Sequence, residues 1–141
     1  TQQATEKKLR LKLDLPTEEI CVRATPDGLA QIFSNLVGNA VKYTPAEGRV
    51  AVSGWREGNT VLVKVEDSGI GIPADDLHHL WEEFFRASNA KHEQIPGTGL
   101  GLSIVKRLVE TFDGTVRVES KQNVGTTFTV SLPVVQPDSD D

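Results

Sequence analysis

Polar residues that bind cations and phosphates recur at helical spacing between Leu29 and Tyr43, which reads LAQIFSNLVGNAVKY. At spacings of four, four and three, these residues are Gln31, Asn35, Asn39 and Lys42. Such spacing places all of them on one face of an α-helix. Carboxamide oxygens are ligands for a hard cation, and a lysine ammonium binds phosphate. On this helix alone, an ordinary solvated face explains the pattern equally well.

The other residues of this stretch supply the apolar stripe of a buried helix. They recur every three or four residues and are Leu29, Ile32, Phe33, Leu36, Val37, Ala40 and Val41. A helix of this kind packs its apolar stripe on a core. Thr25 is predicted as the N-cap and Pro26 as the first helical residue, while Thr44-Pro45 is predicted to end the helix.

A second candidate is the segment Asp67 to Gly71, which reads DSGIG. It follows a predicted hairpin of strands Arg49–Trp55 and Thr60–Asp67, joined at Gly58-Asn59. In the second strand the valines at odd positions share a face with Asp67, so the carboxylate points to the covered side of the sheet. A carboxylate in that position can accept a hydrogen bond from a ligand amino group, and glycines after it let a flat group approach the backbone. An ordinary Asp-rich turn is the alternative.

A third candidate is Gly97 to Leu102, GTGLGL, at the start of a predicted helix Leu100–Phe112. The apolar residues of this helix recur at the spacing of a buried face; they are Leu100, Ile104, Val105, Leu108 and Phe112. Alternating glycines before a helix N-terminus let backbone N–H groups approach a polyphosphate. The spacing fits neither a dinucleotide-binding fingerprint nor a P-loop.

The remaining predicted elements complete an α/β (α+β) two-layer sandwich, a mixed, mostly antiparallel sheet with helices on one face. They are strands at Leu9–Leu15 and Ile20–Arg23, a short helix at Pro73–Trp81, a polar loop at Phe84–Pro96, and two closing strands. In the closing strands the inward residues are predicted to be Val116, Val118, Phe128, Val130 and Leu132.

Composition limits the classes of protein that the chain represents. Its 141 residues fit one domain, and its net charge of -5 argues against a nucleic-acid surface. One cysteine excludes an internal disulfide, and no apolar run approaches membrane-spanning length; a cytoplasmic location is expected. The absence of methionine indicates an excised fragment. Residues 1–8 are expected to be the end of a preceding helix or linker, 9–133 the domain, and 134–141 a disordered acidic tail.

Four motifs, taken together, closely resemble bacterial sensor histidine kinases. In order along the chain they correspond to the N box, first glycine box, F box and second glycine box: NLVGNAVKYT from Asn35, DSGIG from Asp67, LWEEFFR from Leu80 and GTGLGL from Gly97. The resemblance implies a catalytic and ATP-binding domain with the Bergerat fold, a protein-histidine kinase that uses ATP and Mg²⁺.

The resemblance also implies a role for each matching residue. Asn39 resembles the asparagine that holds magnesium, supported by Asn35, and Lys42 and Tyr43 resemble the pair beside the phosphates. Asp67 matches the residue that reads the adenine amino group. The other matches are Gly69 and Gly71 in the base pocket, Arg86 at the terminal phosphate, and the lid hinge Gly97, Thr98, Gly99, Leu100 and Gly101. Asn39, Lys42 and Arg86 are the implied catalytic residues.

Some positions depart from the family pattern. Trp81 stands where phenylalanine is more frequent, and Phe85 where tyrosine is common; both are interpreted as packing variants. Gly28 replaces a frequent arginine, and Phe112-Asp113 replaces a frequent His-Gly, for reasons that the sequence does not reveal.

The phosphoacceptor that the resemblance implies is a histidine on a separate dimerisation domain, upstream of this chain. His78 and His79 precede the F box, and His92 lies in the lid loop, so none is expected to be the acceptor. The other implied partner is a response regulator receiver domain; the isolated domain is expected to be monomeric and the parent, which could be anchored in the inner membrane, homodimeric. Alternatives are an ATPase clamp of the same fold, a non-catalytic nucleotide sensor and an anti-sigma serine kinase.

Overall fold

The computed structural model describes residues 10–14, 20–82, 85 and 101–135. The strands in these residues are β1 (Arg10–Asp14), β2 (Arg49–Glu57), β3 (Thr60–Asp67), β4 (Thr115–Lys121) and β5 (Gly125–Pro133). The helices are α1 (Pro26–Tyr43), α2 (Gly101–Thr111) and a 3₁₀ helix (Ala74–His79). None of the described helices is long and apolar enough to cross a membrane.

The strands form one sheet in the order β1-β2-β3-β5-β4. β1 runs parallel to β2, and every other neighbouring pair is antiparallel. At the centre of the sheet, Val65 of β3 pairs with Val52 of β2 and with Phe128 of β5. The predicted mixed sheet with helices on one face is therefore confirmed.

The predicted organising helix is α1, and its local chemistry explains where it begins. The Thr25 hydroxyl accepts a hydrogen bond from the Gly28 N–H at 3.0 Å, and Pro26 follows as the first helical residue. The residues of α1 that are buried in the core are Ile32, Leu36, Ala40 and Val41. They pack with the valines of β2, β3 and α2 on the covered face of the sheet.

Two predicted elements differ from the structure. Ile20–Arg23 is not a strand: Val22 forms only an isolated bridge with Val134, because the chain turns into α1 almost at once. The short helix is a 3₁₀ helix and ends before Trp81.

The buried stripe of α2 also differs from the predicted one. Val105 and Val109 are fully buried and Ser103 is buried, whereas Ile104 and Leu108 are only half-buried. The helix is thus rotated towards Val109, since it packs on both α1 and the sheet.

The family departures at Gly28 and Phe112 meet in space. A Cβ added to Gly28 would lie 2.5 Å from Phe112 Cζ, so the phenylalanine ring occupies the space that a side chain would need. Asp113 has a φ of 62° and follows α2 in the left-handed conformation that favours glycine. The Asp113 N–H donates to Glu110 O and the Gly114 N–H to Val109 O, which closes the helix end.

Candidate functional site

Asp67 is the last residue of β3 and its carboxylate is half-buried on the helix side of the sheet, as predicted. Burial raises the pKa of Asp67 from 3.8 to about 6, while hydrogen bonds from the backbone N–H groups of Gly69 and Thr126 act in the opposite direction. Above this pKa the carboxylate is an anion with lone pairs left over and little water around it. Such a group suits a ligand that donates a hydrogen bond.

The first glycine box folds back onto the last turn of α1. The Gly69 N–H donates to Asp67 Oδ1 at 2.8 Å, and the Ile70 N–H donates to the Tyr43 carbonyl at 3.1 Å. A Cβ on Gly69 would lie 2.5 Å from the same carbonyl, so only glycine allows this approach. The loop after Asp67 is therefore fixed against the end of the Asn-rich helix.

The start of α2 lies against the middle of α1. A Cβ on Gly101 would stand 3.3 Å from Asn35 Oδ1, in direct contact with that carboxamide. Asn35 and Asn39 are both half-buried, one turn apart on α1. The structure thus brings the N box into contact with the first glycine box at one end and with the last glycine of the second at the other.

Lys42 and Tyr43 occupy the final turn of α1, next to this loop. The Lys42 ammonium lies 5.8 Å from the centre of the Tyr43 ring, within cation–π range. Both side chains are half-buried. A positive charge is therefore held at the same end of the helix as Asp67 and the glycines.

Five of the predicted site residues lie outside the described residues: Arg86, Gly97, Thr98, Gly99 and Leu100. The polar loop Phe84–Pro96, apart from Phe85, lies outside them as well. Trp81 of the F box is among the described residues. Its ring centre lies 6.0 Å from that of Phe128, edge to face, and the Lys106 ammonium of α2 lies 5.9 Å from the Trp81 ring centre. The packing role expected for Trp81 is confirmed.

The turn between β4 and β5 forms hydrogen bonds with the loop after Asp67. The sequence did not predict this contact. The Asn123 N–H donates to Ile70 O at 2.7 Å, and the Ile72 N–H donates to Ser120 Oγ at 2.8 Å. Gly71, with a φ of 71°, lies so close to this turn that a Cβ would be 2.1 Å from Lys121 O. The sequence held one indication of these hydrogen bonds: polar residues, Ser120 and Thr126, occupy inward positions of the closing strands.

A groove of about 740 Å³ lies at the same end of the sheet. The residues that line it include Ala51, Glu66, Glu119 and Thr127, which alternate with the inward residues and so belong to the open face. No residue of α1 or α2 lines this groove. It shares Asp67, Ser120 and Thr126 with the candidate site but does not extend to the Asn-rich helix.

The two described histidines form a small cluster on the 3₁₀ helix. The His78 and His79 ring centres are 3.9 Å apart, and His79 Nδ1 is 2.7 Å from Glu82 Oε2. His78 is exposed and His79 is half-buried. Their immediate partners are each other, Glu82 and Phe85, and not the residues of the candidate site.

The described residues fit a ligand that carries a hydrogen-bond donor at one end and phosphate with a divalent cation at the other. Asp67 is an acceptor in a place with little water, and Asn35, Asn39 and Lys42 supply oxygens and a positive charge. The arrangement places a hydrogen-bond acceptor at Asp67, and carboxamides and a positive charge along α1.

Residues 24–136 match the family model described as histidine kinase-, DNA gyrase B- and HSP90-like ATPase. Among curated proteins, the chain is 41% identical over 128 residues to the circadian input-output histidine kinase CikA of Synechococcus elongatus. This match covers 91% of the chain but only 17% of CikA, so the chain spans a small part of that relative.

Solved structures with the same fold include the mycobacterial sensor histidine kinase MprB, with a TM-score of 0.83 and 29% identity over 94% of this chain and 89% of that one. Full-length ShkA in complex with AMPPNP is also similar, with a TM-score of 0.80 and 29% identity. That match covers 96% of this chain and 27% of ShkA.

Proposed function

We propose that this chain, which belongs to the family of histidine kinase-, DNA gyrase B- and HSP90-like ATPases, is the ATP-binding catalytic domain of a sensor histidine kinase. Its reaction would be transfer of the γ-phosphoryl group of Mg-ATP to a histidine in two-component signal transduction. Similarity to CikA, MprB and ShkA supports the kinase class, and the nucleotide analogue bound to ShkA supports ATP as the ligand.

One observation carries the proposal: α1 contacts both glycine boxes. The Tyr43 carbonyl accepts from the Ile70 N–H at 3.1 Å, and Asn35 lies in contact with Gly101. A ligand between these contacts would meet a base-reading carboxylate, two carboxamides, a lysine and the start of a helix. Such a set matches a nucleoside triphosphate with its metal.

The phosphate side of the proposed site is α1. Asn39 would hold Mg²⁺ through its carboxamide oxygen, with Asn35 beside it, and Lys42 and Tyr43 would lie along the phosphates. When bound, the metal neutralises phosphate charge. The protein's own residues would fix the position of the triphosphate, and Lys42 would supply a positive charge.

The base side and the lid complete the proposed site. Asp67 would accept from the adenine amino group, with Gly69 and Gly71 forming the surface against which the base lies. Arg86 would contact the terminal phosphate, and the hinge glycines Gly97, Gly99 and Gly101, with Thr98 and Leu100, would let a lid close. Asn39, Lys42 and Arg86 are the proposed catalytic residues.

The phosphoacceptor is proposed to lie outside residues 9–133, on a dimerisation domain of the parent protein. His79 is already paired with Glu82, and the contacts of His78 and His79 with described residues are to each other, Glu82 and Phe85, and not to the described part of the proposed nucleotide site. A response regulator receiver domain would take the phosphoryl group next, and the parent would act as a cytoplasmic or membrane-anchored homodimer.

The test combines binding with transfer. Calorimetric titration with ATP and magnesium should give measurable heat, and labelled Mg-ATP alone should leave no acid-labile phosphohistidine on the chain. Dimerisation helices of the parent, supplied in trans, should become labelled. The Arg86→Ala variant should slow this transfer more than it weakens ATP binding.

Absence of heat at millimolar ATP would contradict the nucleotide site. Rapid ATP hydrolysis without labelling of the helices would instead favour an ATPase clamp. Label on His78, His79 or His92 of the isolated chain would contradict a separate acceptor domain.

A further inference from the structure

The Ser120 hydroxyl makes three hydrogen-bond contacts at the end of β4. The Ile72 N–H donates to it at 2.8 Å, the Gly125 carbonyl lies 2.9 Å away, and Thr126 Oγ1 lies 2.7 Å away. Ile72 belongs to the loop after Asp67, and Gly125 and Thr126 begin β5. One side chain thus joins the loop and both closing strands next to Asp67.

The chemistry of these partners fixes where the hydrogens lie. A backbone N–H only donates and a carbonyl only accepts, whereas a serine hydroxyl has one hydrogen and two lone pairs. All three contacts are satisfied only if Ser120 donates to Gly125 O and accepts from both Ile72 and Thr126. The hydroxyl hydrogen of Thr126 is then directed to Ser120, and Thr126 offers lone pairs to any other neighbour.

Thr126 stands directly beside Asp67. The two residues pair across β3 and β5, so their side chains lie on the same face with Cβ atoms about 4.5–5.5 Å apart. Thr126 is buried, with 7% of its surface exposed, and its backbone N–H donates to the Asp67 carboxylate. An ionised carboxylate is also an acceptor only. Asp67 and Thr126 together therefore present acceptors and no donor.

We propose that Ser120 is a positioning residue that keeps the Thr126 hydroxyl an acceptor beside Asp67, so that the pocket selects a base with an exocyclic amino group over a 6-oxo base. This inference rests on the proposed nucleotide-binding function and adds the group that sets its base specificity. A 6-oxo base would place an oxygen against two acceptors, and buried groups left without a donor discriminate strongly.

Ser120 also holds the backbone of the loop after Asp67, through Ile72. Loss of this bond would loosen the pocket for every nucleotide, whereas loss of the Thr126 orientation would change only the preference between bases. The two roles therefore separate when ATP and inosine triphosphate, which differ at the 6-position, are compared on the same variant.

The experiment measures the Kd of Mg-ATP and of Mg-ITP by calorimetry for the unchanged chain and for Ser120→Ala, Ser120→Thr and Ser131→Ala. Ser131 is the matched control, because it lies on β5 on the open face of the sheet. We expect the unchanged chain to prefer ATP by at least about tenfold, since the mismatch involves buried polar groups. In Ser120→Ala the Kd for ATP should rise about tenfold and that for ITP by less than about twofold, because the freed Thr126 hydroxyl can then donate.

Ser120→Thr should restore the preference, and Ser131→Ala should leave both constants unchanged. If Ser120→Ala unfolds at the assay temperature, Thr126→Val gives the second test: it removes the hydroxyl while Ser120 still bonds Ile72 and Gly125. This variant should also reduce the preference for ATP, and Asp67 should account for the preference that remains.

An equal loss of ATP and ITP affinity in Ser120→Ala would reduce Ser120 to a structural residue and overturn the inference. An unchanged preference in Thr126→Val would overturn it as well. If the unchanged chain binds neither nucleotide, the failure lies with the proposed function itself, so the two failures are distinguishable.

Discussion

Replacement of Asp67 by asparagine tests whether this carboxylate is kept in place for a ligand at a cost in stability. Burial raises its pKa from 3.8 to about 6 although two backbone N–H groups donate to it. At 1.36 kcal/mol per pKa unit, this difference amounts to about 3 kcal/mol of destabilisation when the group is ionised. We expect Asp67→Asn to raise the free energy of unfolding at pH 7.5 by about 1–3 kcal/mol, less if the amide leaves one backbone donor unpaired.

The pH dependence has a defined sign. Because the pKa is higher in the folded protein, the folded state keeps a proton that the unfolded chain has already lost between about 3.8 and about 6. The contribution of Asp67 to stability is therefore fully present below this range and is lost as the pH rises through it. Asparagine does not titrate, so the advantage of Asp67→Asn should be absent near pH 4, grow as the pH rises, and be complete above about pH 6.

The assay is urea unfolding followed by tryptophan fluorescence from pH 4 to pH 8. Asp75→Asn is the control, because Asp75 is exposed on the 3₁₀ helix and should give the same stability as the unchanged chain. Binding of adenosine, which has no phosphate to titrate, should be weaker in Asp67→Asn by about 1–3 kcal/mol. A variant that is no more stable than the unchanged chain at pH 7.5, or equally favoured at pH 4, would refute the reasoning.

The remaining predictions concern the metal and two backbone positions. Asn39→Ala should abolish most of the magnesium dependence of ATP affinity, measured by calorimetry with and without the metal; full retention of that dependence would contradict the ligand role. Gly28→Ala should lower the free energy of urea unfolding by about 1–3 kcal/mol through overpacking against Phe112 and the Thr25 hydroxyl. The loss should be smaller in a Phe112→Ala background, where only the Thr25 contact remains, and a double-mutant cycle without coupling would contradict the contact with Phe112. Asp113→Gly should raise the melting temperature, corresponding to about 0.5–1 kcal/mol, because it relieves the left-handed conformation; Asp113→Ala should not.

Elements with strong local signals could be predicted from the sequence. Thr25 and Pro26 indicated the start of α1, and alternation around Gly58-Asn59 indicated β2 and β3. Ile20–Arg23 also has strand-like residues, but its only described bridge pairs Val22 with Val134, at the far end of the chain. Local composition does not indicate how many residues of a distant segment can pair with a candidate strand. The prediction of a strand at Ile20–Arg23 was therefore wrong. The rotation of α2 towards Val109 depends on tertiary packing in the same way.

The candidate site shows the same division between local and distant information. Strand parity predicted that Asp67 faces the helices, because that needs only the valines beside it. The Thr126 N–H, which donates to Asp67 and opposes the rise of its pKa, comes from β5, and the Ser120 bond to Ile72 joins residues 48 positions apart. An inward polar residue on a closing strand indicates such a bond but does not identify its partner.

The pair Gly28 and Phe112 shows why departures from a family pattern need a structure to be understood. Each looks like an isolated substitution, far apart in the sequence, and neither touches a proposed ligand contact. In space the ring of Phe112 fills the volume beside Gly28, where any Cβ would come within 2.5 Å of it. A bulky residue at the end of α2 thus requires the absence of a side chain at the start of α1, so the two positions constrain each other. Because these helices also carry Gly101 and Asn35, this contact helps to hold the two sides of the proposed nucleotide site together.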